Sequence, residues 1–156
     1  MSVQELAQSV IRLGSEGERM ELGGFKVIFK SPLSGSKEGW MAADYTLPAG
    51  QMGAQPHYHN HLTESFYVIS GNLWMRIGER EVIAGLGSYA LVSPGTRHSF
   101  ANWSDQPMHF MAHASDASHK EFLCELFRMI ESEPAWPPQD PTRMLALGRR
   151  YDIYYL

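Results

Sequence analysis

The chain has 156 residues, 44% of them hydrophobic and 19% charged, and a formal net charge of -4. That is enough for one domain with a sizeable core, expected to span residues 1–156. The thirteen Lys and Arg are scattered, which leaves no phosphate-binding patch and gives no reason to expect a nucleic-acid partner. No stretch approaches the ~18 consecutive apolar residues of a membrane span, and no basic-then-apolar leader is visible. Cys124 is the only cysteine, which excludes an internal disulfide and a cysteine-rich zinc site and suits a reducing, cytoplasmic setting.

Residues 2–12 read as a short helix or an extended arm. Arg19 to Leu22 and Phe25 to Lys30 follow as short strands around Gly23-Gly24. Ser31 to Ser36 is a loop by composition, and Trp40 to Leu47 reads as a strand ending at Pro48. Beyond it the pattern is regular. Glu64 to Ile69, Leu73 to Ile77, Arg80 to Ala84, Ser88 to Val92, Arg97 to Ala101 and Met108 to His113 are candidate strands, each bounded by a Gly-, Pro- or Asn-containing turn. Phase places Glu64, Phe66 and Val68 on one face of their strand and Leu73, Met75 and Ile77 on one face of theirs, both expected to point inward. Short strands with tight turns and no helices between them indicate an all-β antiparallel barrel or sandwich.

After Ser115 the pattern turns helical. Ser118-His119-Lys120-Glu121 has capping-box spacing, followed by Phe122, Leu126, Met129 and Ile130 at helical intervals. Pro134, Pro137 and Pro138 form a stiff connector. Asp140 with Pro141 opens a second helix through about Arg150, and Tyr151 to Leu156 is a final strand or arm.

The chemistry concentrates at His57-Tyr58-His59-Asn60-His61-Leu62-Thr63-Glu64. His57 and His59 leave a strand on the same face. Glu64 lies in the opposite phase, so a turn near Asn60 to Thr63 must bring it round. Pro94-Gly95 delivers His98 from another strand. Three imidazoles and a carboxylate suit a first-row divalent metal, with open positions left for reaction. Iron, manganese, nickel, cobalt, copper and zinc all fit such a donor set. His61 reads as a cavity-rim or solvent residue. His119 reads as a surface residue at a helix start, and Trp74, Trp103 and Trp136 as core or interface. His109 and His113 share one face of a two-faced strand that phase alone cannot orient; they read as structural, or as a proton shuttle if inward.

The spacing His57-x-His59-x4-Glu64-x6-Gly71 resembles the first motif of the cupin superfamily. Gly87-x5-Ser93-Pro94-Gly95-x2-His98-x3-Asn102 resembles the second, with the likeness covering about residues 40–115. Two positions depart from it: Gln51 stands where the first motif opens on glycine, and Ser93 where the second has proline. Pro56-His57-Tyr58-His59, Glu64-Ser65-Phe66-Tyr67-Val68, Pro94 to Phe100 and the closing Arg150-Tyr151-Asp152-Ile153 resemble more narrowly the quercetinase-like monocupins. That resemblance implies a cupin β-barrel (a double-stranded β-helix, or jelly roll) with N-terminal strands and two short C-terminal helices over about 118–156. It also implies one divalent metal on His57, His59, Glu64 and His98, and a homodimer.

The expected activity is a dioxygenation of a flavonol-like or other enolisable small molecule by O2. In the role the resemblance implies, Glu64 is both ligand and base. Tyr67, Met75, Phe100 and Phe110 are the candidate substrate-binding residues, since an aromatic ligand would suit such walls. A non-redox isomerase or cyclase of a sugar or polyketide, and a binding protein without turnover, are the alternatives. Exposed strand edges favour a dimer, with the residues before Leu47 available as strands for a neighbour.

Overall fold

The computed structural model describes residues 10–31 and 39–156. The expected helix or arm over 2–12 and the loop from Ser31 to Ser36 fall almost wholly outside the described residues. Ten strands come first: β1 Glu18–Leu22, β2 Phe25–Phe29, β3 Met41–Leu47, β4 Gln51–Tyr58, β5 Glu64–Ser70, β6 Leu73–Ile77, β7 Arg80–Ala84, β8 Tyr89–Val92, β9 His98–Asn102 and β10 Met108–Ala114. Helices α1 (His119–Ser132) and α2 (Thr142–Arg150) and the short β11 (Tyr154–Tyr155) follow. No described helix is long and apolar enough to cross a membrane.

The strands form two antiparallel sheets, ordered β1-β2-β3-β10-β5-β8 and β11-β4-β9-β6-β7, which make a jelly-roll β-barrel. Side-chain alternation decides which faces meet. In β3 and β10 every second residue is buried, from Met41 to Leu47 and from Met108 to Ala114. Their register sets Tyr45 opposite Phe110, and the two rings stack at 5.0 Å. The other phase of β10 faces outward. His109 therefore pairs with Asp44 on the surface, and His113 lies against Trp40. Both face away from the metal ligands, which removes the proton-shuttle alternative. The interior is one hydrophobic cluster running from Val27 to Ile153, where each fully buried large side chain contributes about 1.5–3 kcal/mol.

β1 pairs with β2, β2 with β3 and β3 with β10 of the same chain, which leaves β1 at the edge of its sheet. β4 has no counterpart among the strands expected from the sequence. Gln51-Met52-Gly53-Ala54-Gln55-Pro56 lacks alternation, and its pairing with β9 breaks register twice, between Met52 and Ala54 and between Ala54 and His57. Gly53 is dictated by packing: a Cβ there would stand 2.3 Å from the Phe100 ring. Asn102 is fully buried and ties the turns at this end together, its Nδ2 donating to the carbonyls of Leu47 and Gln106 at 3.0 and 2.7 Å.

α1 starts differently from the capping-box expectation. The Ser118 side chain makes no cap bond; instead the Asp116 carboxylate accepts from the Ser118 amide at 2.8 Å. α2 starts one residue later than expected, with Pro141 rather than Asp140 at the N-cap, although the Asp140 carboxylate still accepts from the Thr142 amide at 3.0 Å. The helices are joined where the Tyr151 hydroxyl donates to Glu125 at 2.6 Å and Arg150 pairs with the same carboxylate.

Candidate metal centre

β4, β5 and β9 bring His57, His59, Glu64 and His98 together, all buried, with one ligand atom of each within 4.8 Å of the others. His57 and His98 face each other across the β4–β9 ladder. The turn over residues 60–63 returns the chain so that Glu64 opens β5 pointing inward, as its phase required.

Each imidazole is held from behind by a backbone carbonyl. Nδ1 of His57 donates to the carbonyl of Gln55 at 2.7 Å, that of His98 to Thr96 at 2.9 Å, and that of His59 to Asp152 at 2.8 Å. A carbonyl only accepts, so each Nδ1 carries the proton and each Nε2 turns a lone pair to the centre. The Glu64 Oε2 lies 2.8 Å from His98 Nε2, 3.0 Å from His59 Nε2 and 4.0 Å from His57 Nε2. Acceptors at such distances are bridged by a cation, either a proton or a metal ion. Ligand atoms sharing one first-row divalent ion would lie ~3–4 Å apart, and the separations from Glu64 fall in that range. The donor set fits a divalent metal; its identity is left open.

Electrostatics agree. Burial, with the His98 ring beside it, pushes the His57 pKa down to about 3, so it is a neutral ligand at neutral pH. Burial works against charge on Glu64 and His59 as well. A proton shared between His59 Nε2 and Glu64 outweighs it, holding the Glu64 carboxyl well below its ordinary value and raising His59, and this is the proton a bound metal would displace.

Three contributors escaped the sequence reading. His119 is buried, with Nε2 3.4 Å from Glu64 Oε1, the carboxylate oxygen that faces away from the imidazoles. Burial lowers its pKa to about 4. Its spacing to Phe122, Leu123 and Leu126 was the available signal, because it places His119 on the apolar face of α1. Tyr45 lines the same cavity on the inward phase of β3, and burial raises its pKa, so the hydroxyl stays a neutral donor. Asp152 turns the chain at φ 63° and supports the site twice. Its carbonyl orients His59, while its carboxylate accepts from the amides of Asn60, His61 and Leu62 at 2.8, 2.8 and 2.9 Å. β11 then pairs with β4 at Tyr154–Tyr58 and Tyr155–His57.

A cavity of about 350 Å³ opens beside the centre and includes His57 and Glu64 in its wall. Of the expected substrate-binding residues, Phe100 lines it. Met75 and Phe110 are fully enclosed in the core behind the wall. Tyr67 is 46% exposed on the outer surface, because β5 turns Glu64, Phe66 and Val68 inward; Phe66 takes the wall position. Trp136, expected in the core or an interface, lies at the cavity, and His61 is exposed as expected.

Residues 43–113 match the family model described as Cupin domain. No curated protein sequence matches the chain. Among solved structures, an RmlC-like cupin from Shewanella frigidimarina superposes with a TM-score of 0.60 at 19% identity, over 74% of this chain and 99% of that one. KdgF from a Halomonas species gives 0.60 at 13% identity, over 72% and 99%. A sugar phosphate isomerase of the cupin superfamily from Silicibacter pomeroyi gives 0.52 at 23% identity over 58% of this chain, which spans 59% of the length of that protein. At these identities the likeness is one of fold. The chain is built on a cupin barrel, and the segment that matches the cupin domain carries His57, His59, Glu64 and His98.

Proposed function

We propose that the chain is a metal-dependent dioxygenase that combines O2 with an enolisable, flavonol-like or otherwise apolar small molecule. One observation carries the reading: the ligand carboxylate Glu64 stands at the inner end of a cavity whose wall is mostly aromatic and aliphatic. A substrate hydroxyl brought there meets a proton acceptor within a shared cavity. The narrower likeness to quercetinase-like monocupins, carried by Pro56 to His59, Glu64 to Val68, Pro94 to Phe100 and Arg150 to Ile153, points the same way.

When bound, the metal supplies Lewis acidity that makes a ligating enol easier to ionise. The remaining work belongs to side chains. Glu64 accepts the substrate's hydroxyl proton, His119 faces its second oxygen and limits its rotation, and Tyr45 offers a neutral hydroxyl to a substrate oxygen. The enolate carbon gives an electron pair to O2 and forms a C–O bond; cleavage of the O–O bond together with a substrate C–C bond supplies the second pair, so both oxygen atoms end in the products without an external reductant. The proton held by Glu64 returns to the product. None of the described residues lining the cavity is Lys or Arg; a sugar phosphate would bring its charge into an apolar wall without a partner. The homodimer is retained as a proposal, supported by Tyr67, Tyr89 and Leu91, which are exposed on the outer face of β5 and β8.

The test is oxygen uptake by metal-replete protein offered a panel of flavonols and related enols. Uptake matched to substrate loss, and abolished in Glu64→Gln while metal content persists, is the expected result. Substrate conversion that proceeds unchanged without O2 would replace this reading with a non-redox one.

A further inference from the structure

The cavity beside the metal centre has a direction. α1 lines it with His119, Phe122, Leu123, Leu126, Phe127 and Ile130, all on one helical face. At 1.5 Å per residue, the wall from His119 to Ile130 is about 16 Å long. Opposite it, β4 lines the same cavity from His57 at the metal to Gln51 at the far end, a span of at most about 20 Å for an extended strand, shortened by its bulges. Two unrelated elements thus give comparable lengths.

Burial changes along that length. His119, Phe122 and Leu123 are buried, whereas Leu126, Phe127, Ile130 and Trp136 are only half-buried. The metal end is therefore the more enclosed, and the less buried far end, beside Trp136 and the β1–β2 turn at Leu22-Gly23, is the side from which the cavity is reached. A cleft of this length, flanked by apolar side chains on both α1 and β4, suits a chain or a flat ring system rather than a compact ligand. A small polar molecule that reached the metal would leave the outer apolar wall against water.

We infer that the substrate is an elongated, uncharged, largely apolar molecule that enters head-first, its enolisable head at Glu64 and its body lying between α1 and β4 over most of 16 Å. The inference rests on the proposed reaction centre but not on the use of O2.

The test is calorimetric titration of zinc-loaded protein, without O2, with a series of 2,4-diketones bearing progressively longer unbranched alkyl tails. The expected gain is about fourfold in affinity per added methylene, levelling off at about a dozen carbons, where the tail passes the mouth. Leu126→Trp, halfway along the wall, should bring that plateau to tails about half as long. Ile130→Trp, at the mouth, should leave it near full length, with unchanged thermal melting showing that each variant is folded. Affinity that ignores tail length, or that stops rising after two or three carbons in the unsubstituted protein, overturns the inference. Metal-free protein titrated with 1-alkanols reads the cleft alone. If diketones of every length fail to bind while long alkanols bind better than short ones, the metal-centred reading fails and the elongated cleft stands. If alkanols show no length dependence either, the cleft reading fails as well.

Discussion

The two ends of the cavity are built on different physical terms. At the inner end, three imidazoles are tied by their Nδ1 protons to backbone carbonyls from three separate segments, and the carboxylate is shared among them. Direction is set by hydrogen bonds, so displacing a donor or acceptor is costly. At the outer end, α1 and Trp136 offer half-buried apolar surface that holds a ligand by shape and area alone. Substitutions there should change which molecule binds, while those at the inner end should change whether the metal is held.

The sharpest way to separate the two ends is His98→Ala. Removing a ligand lone pair should weaken zinc binding by more than about 100-fold, read by competition with a chromophoric chelator, while the cleft still binds long alkanols. Comparable loss of both would mean that the ends are not independent.

Asp152→Ala attacks the inner end without touching a ligand. Three amides of the 60–62 turn lose a charged acceptor, which should cost about 2–3 kcal/mol in denaturant unfolding and about tenfold in metal affinity. Asp152→Asn keeps one acceptor oxygen and should recover part of both. Unchanged metal affinity in the alanine variant would confine Asp152 to a stability role.

Gly53→Ala works on the outer wall. The new methyl group drives the Phe100 ring into the cavity, at a cost of about 1–3 kcal/mol. Metal content should stay at the unsubstituted level while affinity for long ligands falls. A fall in metal content would show that the wall and the centre are mechanically coupled.

The smallest effect belongs to the α1–α2 seam. Glu125 has a lowered pKa, chiefly through the hydrogen bond from Tyr151, helped by Arg150. Its contribution to stability is therefore present above the ordinary Glu pKa and is lost as pH falls through the lowered folded value. Tyr151→Phe should reduce that acid-limb dependence by about 0.5 kcal/mol, the scale of an exposed pair, with metal affinity unmoved. Melting curves across the acid range provide the measurement.

How much of this was legible in the sequence follows from the range over which each feature is encoded. Strands such as β6 and β10 carry their own alternation, and the turn glycines mark their ends. His57, His59 and Glu64 sit within eight residues and His98 beside its own turn, so the ligand set could be read locally. β4 could not, because Gly53, Pro56 and two glutamines erase the alternation and its pairing with β9 is what makes it a strand. Tyr67 was placed on the wall because it is aromatic, although the phase of Glu64 and Phe66 already put it outside. His119 reads as a surface residue from its position at a helix start, whereas its helical spacing to Phe122, Leu123 and Leu126 is what buries it. Asp152 left no local signal, since its partners lie about ninety positions earlier.

That separation has a consequence for biogenesis. A chain emerging N-terminus first has made all four candidate ligands once residue 98 is complete, yet His59 has no carbonyl to orient it until residue 152 exists. Metal capture with the native geometry is thereby postponed until α1 and α2 have been made, and a prematurely released chain would carry the ligands without the means to fix them.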